Sequence, residues 1–273
     1  MLFAQTNPPH EQWLDGTGGL RIFTRHWRPP GGAGPKAALV ICHGVNSHGG
    51  QYLRAAEAFA AAGFAVTALD LRGRGRSEGE RFHVEDVADY VSDLSQAIEL
   101  AKARDPAVPC YLLGHSAGGV TSVSYALDHQ ERIAGLICES FAFRVFAPDF
   151  ALTLLKGASH VLPDLPALKL KMKDFSRDPA WVAELLADPY TQDETQPVET
   201  VAALIRAGER EVRVAEFGAA GEVVGRQRVG EEEVLHARRI GSASGCSAGS
   251  RASIQPTISA MTRSRPRSLS RSW

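Results

Sequence analysis

Long apolar runs are missing from this chain. The nearest approach, Ala55 to Leu69, is broken by Glu57 and Gly63 and is mostly alanine. A membrane span needs about 18 uninterrupted apolar residues, so none is expected. Cysteine is scarce, four in 273 residues, which excludes a disulfide scaffold. Cys42, Cys110 and Cys138 lie in or beside apolar runs and read as buried thiols, Cys246 lies in a Ser-rich tail, and no spacing suggests zinc. A surplus of one charge sign is missing too. Thirty Lys and Arg face 31 Asp and Glu, a net of −1, which argues against a nucleic-acid binder or a polybasic membrane adaptor. The first ten residues lack a basic stretch followed by an apolar one, so no secretory signal is read and a cytoplasmic location is expected.

One absence is local. Residues 211–273 hold ten Arg and six Glu but no Lys, Asp or Tyr, so they carry +4, while the preceding 210 residues carry −5. From Gly241 onward there are ten Ser, five Arg, no acid and no apolar run longer than two. Such a stretch buries too little apolar surface to offset its ordering entropy, and disorder is expected over 241–273.

What is there is a repeat of strand and helix. Ala37–Cys42, Phe64–Leu69, Pro109–Leu113 and Ile133–Cys138 are short and nearly all apolar, as strands covered on both faces are. Leu20–Trp27 alternates apolar with polar and suits an antiparallel edge strand. Val87, Tyr90, Val91, Leu94, Ile98 and Ala101 fall at helical spacing, with acids leading and Lys102 and Arg104 closing, as the helix dipole favours. Residues 117–129 read as a second helix. This alternation predicts a mostly parallel sheet with helices on both faces. Beyond Cys138 it stops. Asp178-Pro179 opens a helix through Trp181 and Leu186, another is expected from Val198 to Arg206, and 141–205 reads as a helical insertion on the sheet, the alternative being an ordinary helical half of the core.

The chemistry gathers at Leu112-Leu-Gly-His-Ser-Ala-Gly-Gly119, a buried strand, then Gly-x-Ser-x-Gly, then a helix. A serine held clear of the backbone on so sharp a turn forces close packing, and Gly114 and Gly118 remove the side chains that would clash. The helix N-terminus beneath Ser116 offers N–H groups and positive dipole to an oxyanion. His43-Gly-Val-Asn-Ser-His-Gly-Gly-Gln-Tyr52, after the first buried strand, can aim a second amide at the same place, so the expected donors are the N–H groups of Val45 and Ala117.

With Ala68-Leu-Asp-Leu-Arg-Gly-Arg-Gly-Arg-Ser-Glu-Gly79, these segments resemble the α/β-hydrolase superfamily. The likeness is to its monoacylglycerol lipase and lysophospholipase group of serine-aminopeptidase-like hydrolases, over about residues 15–208. The resemblance implies an α/β-hydrolase fold with a helical cap, Ser116 as nucleophile, an oxyanion hole of Val45 and Ala117, and esterase chemistry with no metal or organic cofactor. It implies a small lipid or ester substrate, and the cap, with Phe143, Phe146, Phe150, Leu154, Leu155, Val161 and Leu162, leaves room for transient membrane contact. The domains then read as 1–140 for the first part of the core, 141–205 for the cap, 206–240 for a remnant of core and 241–273 for the tail. The Asp70, Arg72 and Arg74 segment reads as a stiffened structural loop.

The family's later acid and histidine are not found. A serine needs a histidine to take its proton, and that histidine needs a carboxylate. Where the family has Gly-x-x-Asp after a strand, Gly221 stands at the Asp place with Glu222 next, and His236 follows 14 residues later, too close for another helix and strand. Glu139, Glu222 and His236 are substitutes to be weighed; His43 and His115 take structural roles by the family analogy, and His160 falls in the cap. The triad acid and base are therefore left unassigned, and the last strands are expected to be missing or aberrant. The loss of Lys, Asp and Tyr where the resemblance stops suggests that residues from about Glu211 onward are read in a shifted frame, with a genuine divergent tail as the rival account. Three readings stay open: a carboxylic ester hydrolase, inactive as written; a non-catalytic binding protein or frameshifted pseudoenzyme of the same fold; and an amide hydrolase, since a fold does not dictate its substrate.

Overall fold

The computed structural model describes residues 8–140, 149–216, 223–229 and 232–238. One mixed sheet of eight strands organises them, in the order β1-β2-β4-β3-β5-β6-β9-β10. The strands are β1 (His10–Asp15), β2 (Arg21–Trp27), β3 (Ala37–Cys42), β4 (Phe64–Leu69), β5 (Cys110–His115), β6 (Gly135–Glu139), β9 (Val223–Val229) and β10 (Glu232–Arg238). The four apolar runs supply β3 to β6, parallel to one another, with β6 displaced two residues from its expected start.

The absence of alternation in these runs has its cause in the two faces of the sheet. Ala38, Val40 and Cys42 of β3 pack into one cluster with Leu94, Ile98, Leu112 and Leu136. Leu39 and Ile41, pointing the other way, meet Ala56 and Ala60 of α1 (Leu53–Ala61) together with Trp27 and Val66. Each fully buried Leu or Ile contributes roughly 1.5–3 kcal/mol. Helix α2 (Val87–Arg104) covers the first face as its spacing predicts, with Asp86 accepting a hydrogen bond from the Ala88 N–H at 2.8 Å as its cap. Helix α3 (Ala117–Asp128) lies beside it.

Three expectations are corrected. The alternating run forms β2, yet β2 is not the edge: β1 pairs antiparallel outside it, with Trp13 opposite Phe23. Beyond the short antiparallel pair β7 (Pro166–Leu168) and β8 (Gln196–Pro197), the helix expected to end near Arg206 continues as α6 to Glu216. It buries Ala202, Ala203 and Ile205 and puts Ala203 into the α2–α3 side of the core. Strands also follow it rather than being missing. β9 pairs parallel with β6, and β10 returns antiparallel to β9. The remaining elements, α4 (Asp149–Ala158) and α5 (Pro179–Ala187), belong to the stretch read as a cap, and α5 opens as expected with Asp178 capping Ala180 N at 2.9 Å. Phe143, Phe146, Glu222 and Cys246, the side chain of Phe150, and the tail from 241 lie outside the described residues.

Candidate active site

At the carboxyl end of β5 the backbone turns within one residue. Ser116 takes φ 54° and ψ −121°, a conformation that non-glycine residues rarely adopt, and α3 begins at Ala117. The glycines on either side have the expected role, with different opponents. A Cβ on Gly114 would meet Ser122 Oγ at 2.5 Å and Gly118 O at 2.6 Å, inside its own elbow. One on Gly118 would lie 2.2 Å from Cys42 O and 2.3 Å from His43 O, the end of the neighbouring strand. The elbow is thus wedged against β3. Gly44 closes the other side, its Cβ position only 2.9 Å from Ser116 Cβ and 3.3 Å from Ala117 N. The Gly44–Val45 turn and the start of α3 therefore converge on Ser116, which is half-buried, and whose own N–H is held by Glu139 O at 3.0 Å.

The surrounding polar groups hold this shape. His43 is fully buried; its Nδ1 donates to Gly44 O at 2.8 Å and its Nε2 accepts from Leu71 N at 3.0 Å. Burial holds its pKa well below the usual histidine value, so it is a neutral strut. Asp70, in the loop after β4, accepts from Gly49 N at 2.7 Å, Arg25 Nη1 at 2.8 Å and Arg76 N at 2.9 Å. Arg72 pairs with buried Asp93 of α2. Arg74, also buried, pairs with Glu194 and donates to Gln196 Oε1 at 2.6 Å. The loop read as structural is structural: it ties the turn after β3 to α2 and to the chain after α5.

No histidine is found on Ser116 among the described residues. His26 bonds Thr24 and Thr67. His48 bonds Asp188, and His83 bonds Glu199. His129 lies on the Tyr125 ring, His10 near His26, and His160 is exposed after α4. His115 lies edge-on to Tyr52, its Nδ1 is buried without a partner, and burial lowers its pKa. His236 stands in β10 opposite Gly225, which is opposite Cys138, which is opposite Gly114. Three strand spacings separate the ends of that row, about 14 Å. Glu139 ends β6 exposed, level with His115. Its carboxylate is not hydrogen-bonded to any described histidine.

Sequence reasoning missed Asp93, Asp188 and Glu194. Asp93 acts on Arg72, 21 positions away, and Asp188 and Glu194 on partners more than 100 positions away, and no local pattern marks them. Asp188, after α5, accepts from His48 Nε2 and Gln51 Nε2, both at 2.9 Å, and from Tyr190 N at 2.9 Å. Burial pushes its pKa up, but those hydrogen bonds outweigh burial and bring it down to about 2. Among the described residues no group of three or more His, Cys, Asp or Glu is placed to hold a metal, and no helix is long and apolar enough to cross a membrane.

Comparison with known proteins places the arrangement. The profile of the serine aminopeptidase S33 family matches residues 33–217. A monoacylglycerol lipase of Mycolicibacterium smegmatis is 34% identical over 203 residues, covering 73% of this chain and 71% of that protein. The monoglyceride lipase of Rattus norvegicus is 34% identical over 175 residues, and there the chain spans only 57% of the relative's length. Among solved structures, a soluble variant of the Saccharomyces cerevisiae monoglyceride lipase superposes with a TM-score of 0.65 at 19% identity, over 76% of this chain and 70% of that one. The Paleococcus ferrophilus monoacylglycerol lipase gives 0.62 at 27% identity, over 75% and 76%.

Proposed function

Since the chain belongs to the serine aminopeptidase S33 family of α/β-hydrolases, we propose that its chemistry is cleavage of carboxylic esters, of monoacylglycerols or lysophospholipids, through an acyl-enzyme on Ser116. The observation that carries this reading is the backbone of Ser116, held at φ 54° where the Gly44–Val45 turn meets α3. In the reaction the Ser116 oxygen attacks the ester carbonyl, and the oxyanion that forms accepts hydrogen bonds from the N–H groups of Val45 and Ala117. The serine's proton passes to the alkoxide, which leaves as the alcohol, and water then releases the fatty acid and restores the serine hydroxyl. Exposed Leu154, Val161, Leu162, Leu165, Phe175 and Leu186, all between α4 and α5 or on them, support transient contact of this region with lipid. A cytoplasmic location is part of the reading, supported by three buried, unpaired thiols.

A second reading is that this chain binds rather than turns over, because among the described residues no histidine is hydrogen-bonded to Ser116. The other described histidines are held by other partners or set apart from Ser116, and His115 beside it turns its ring to Tyr52. Where the composition changes, Glu211 puts into the interior a carboxyl that bonds Ser124 with one oxygen and nothing with the other. That favours a segment not selected for this core. Losing the histidine of a serine triad costs on the order of 10⁶ in turnover, and roughly 10³–10⁴ over water survives from the oxyanion hole and binding.

Two measurements separate these readings. Rapid labelling of Ser116 by a fluorophosphonate, and hydrolysis of short p-nitrophenyl esters that Ser116→Ala abolishes, establish the hydrolase. Equal, near-background hydrolysis by the two proteins establishes the binding form. Reading the coding DNA from about codon 208 tests the frame: recovery of an apolar strand, Gly-x-x-Asp and a late His in another frame is expected, and its absence from all frames removes the frameshift account.

A further inference from the structure

The Val45 N–H, one of the two proposed oxyanion donors, belongs to the peptide unit that begins with the Gly44 carbonyl. A peptide unit is planar with its N–H and C=O opposed, so whatever holds that carbonyl aims the N–H. His43 Nδ1 holds it, donating to Gly44 O at 2.8 Å. The next unit runs from the Val45 carbonyl to the Asn46 N–H, and only the two soft dihedrals of Val45 join it to the first. Its N–H donates to Glu194 Oε1 at 2.8 Å. Asn46 lies at φ 52°, and Asp193, directly before Glu194, at φ 58°. Left-handed residues persist where their surroundings over-determine them, and one sits at each end of this hydrogen bond.

The carboxylate is turned to Asn46 rather than squarely to its cation. An Arg–carboxylate pair is commonly bidentate and uses both oxygens. Here Arg74, Gln196 Nε2 and Asn46 N all fall on Oε1, and Oε2 is buried without a partner. Arg74 is held in turn by Gln196 Oε1 at 2.6 Å and by the Tyr90 hydroxyl of α2 at 3.2 Å. Its charge matters as well. A bare carboxylate one residue from the oxyanion hole would oppose the anion forming there, and the buried guanidinium cancels it. The pair supplies reach with no net charge.

We propose that Glu194 is a positioning residue of the oxyanion turn: through Asn46 it sets the direction of the Val45 N–H. Arg74 and Gln196 hold the carboxylate in place for that purpose. Glu194 itself touches no reacting atom. Its effect on turnover rests on the hydrolase reading, whereas its hold on Asn46 needs no reaction at Ser116.

The test compares two variants. Glu194→Gln keeps the reach to Asn46 without the charge, and Glu194→Asp keeps the charge on a side chain one methylene shorter. Asn7 and Asn46 are the only asparagines and valine precedes only Asn46, so ¹⁵N-Asn with ¹³C-carbonyl-Val labelling isolates the Asn46 amide in the full chain. Glu194→Asp is expected to speed hydrogen exchange of that amide about tenfold, the worth of one hydrogen bond. Glu194→Gln is expected to stay within about threefold of the parent. With p-nitrophenyl butyrate, kcat should fall about tenfold or more in Glu194→Asp, towards the roughly 10²–10³ lost when an oxyanion donor is removed. KM should hardly change, and Glu194→Gln should keep most of the parent kcat. A purely structural ion pair gives the opposite order, Asp tolerated and Gln impaired, and overturns the proposal. So does unchanged Asn46 exchange in a folded Glu194→Asp, lost protection in a folded Glu194→Gln, or faster exchange with kcat unmoved. A parent that hydrolyses the ester no faster than Ser116→Ala overturns only the hydrolase reading, and the order of exchange rates then decides the proposal.

Discussion

Glu194 Oε1 accepts the backbone N–H of Asn46 at 2.8 Å, across 148 positions of chain. Asn46 itself sits at φ 52°, directly after Val45, so a carboxylate from the segment following α5 pins a left-handed residue in the turn that faces Ser116. The same oxygen takes Arg74 from the loop after β4. The region read as a cap and the turn that would hold an oxyanion are thereby one rigid assembly.

Breaking that assembly should be costly. Glu194→Ala strands Arg74, which is 1% exposed, without its partner, and loss of one member of a buried pair costs about 3–5 kcal/mol. Urea unfolding should show a fall of that size, with a smaller one for Glu194→Gln, which still accepts from Asn46. Equal losses for both would mean that charge is irrelevant to the contact.

Glycine substitutions should divide sharply by position. Gly118→Ala drives a Cβ into two backbone oxygens that neither strand nor helix can move, and the cost should meet or exceed the 1–3 kcal/mol of ordinary overpacking. Gly157→Ala in α4 meets nothing within 4 Å and should stabilise by a few tenths to about 1 kcal/mol. Thermal unfolding of both proteins checks the contrast, and a neutral Gly118→Ala would refute the wedged elbow.

Glu211 should make the protein less stable as pH rises. Burial pushes its pKa up to about 8, only partly offset by the Ser124 hydrogen bond and Arg210. The unfolded chain gives up this proton near its ordinary value of 4.5 while the folded chain keeps it, so the folded state binds more protons between these values. The contribution is therefore whole below about pH 4.5 and falls away up to about pH 8, by a few kcal/mol. Glu211→Gln should flatten that window and be the more stable protein at its upper end. Unfolding free energies across the range decide it.

Asp188 should act at the other extreme. Its pKa is held near 2, below the ordinary 3.8, so its share of stability is present above about pH 4 and drains as pH falls towards 2. Asp188→Asn should remove that part of the acid limb and loosen the hold of His48 and Gln51 on the chain after α5. Faster proteolysis within residues 160–195 is the expected sign.

Much of the sheet was legible because it obeys short-range rules. Ala37–Cys42 and Phe64–Leu69 are β3 and β4 to the residue, since a strand covered on both faces is nearly all apolar, with Thr67 tolerated because His26 partners it. The α2 helix was equally plain from its spacing and its acidic start. The edge was misjudged because His10–Asp15 alternates weakly; its place is owed to pairing with β2, which only assembly reveals. The end of α6 was misplaced for the opposite reason: Arg206 to Glu216 is rich in charge, and the helix is carried on by Ala207 and by the side of α3 that receives Ser124–Glu211.

The elbow at Ser116 is written in five consecutive residues, because a strand, a glycine-flanked turn and a helix start are all matters of backbone sterics within a few ångströms. Which groups surround that serine is a different kind of question. The Asn46–Glu194 and His48–Asp188 contacts, the orphan atoms of Thr191 and Glu194, and the 14 Å row that separates His236 from Gly114 come from segments about 120 to 150 positions apart. Their meeting depends on loop closure and the packing of whole elements, which no local pattern of residue types encodes.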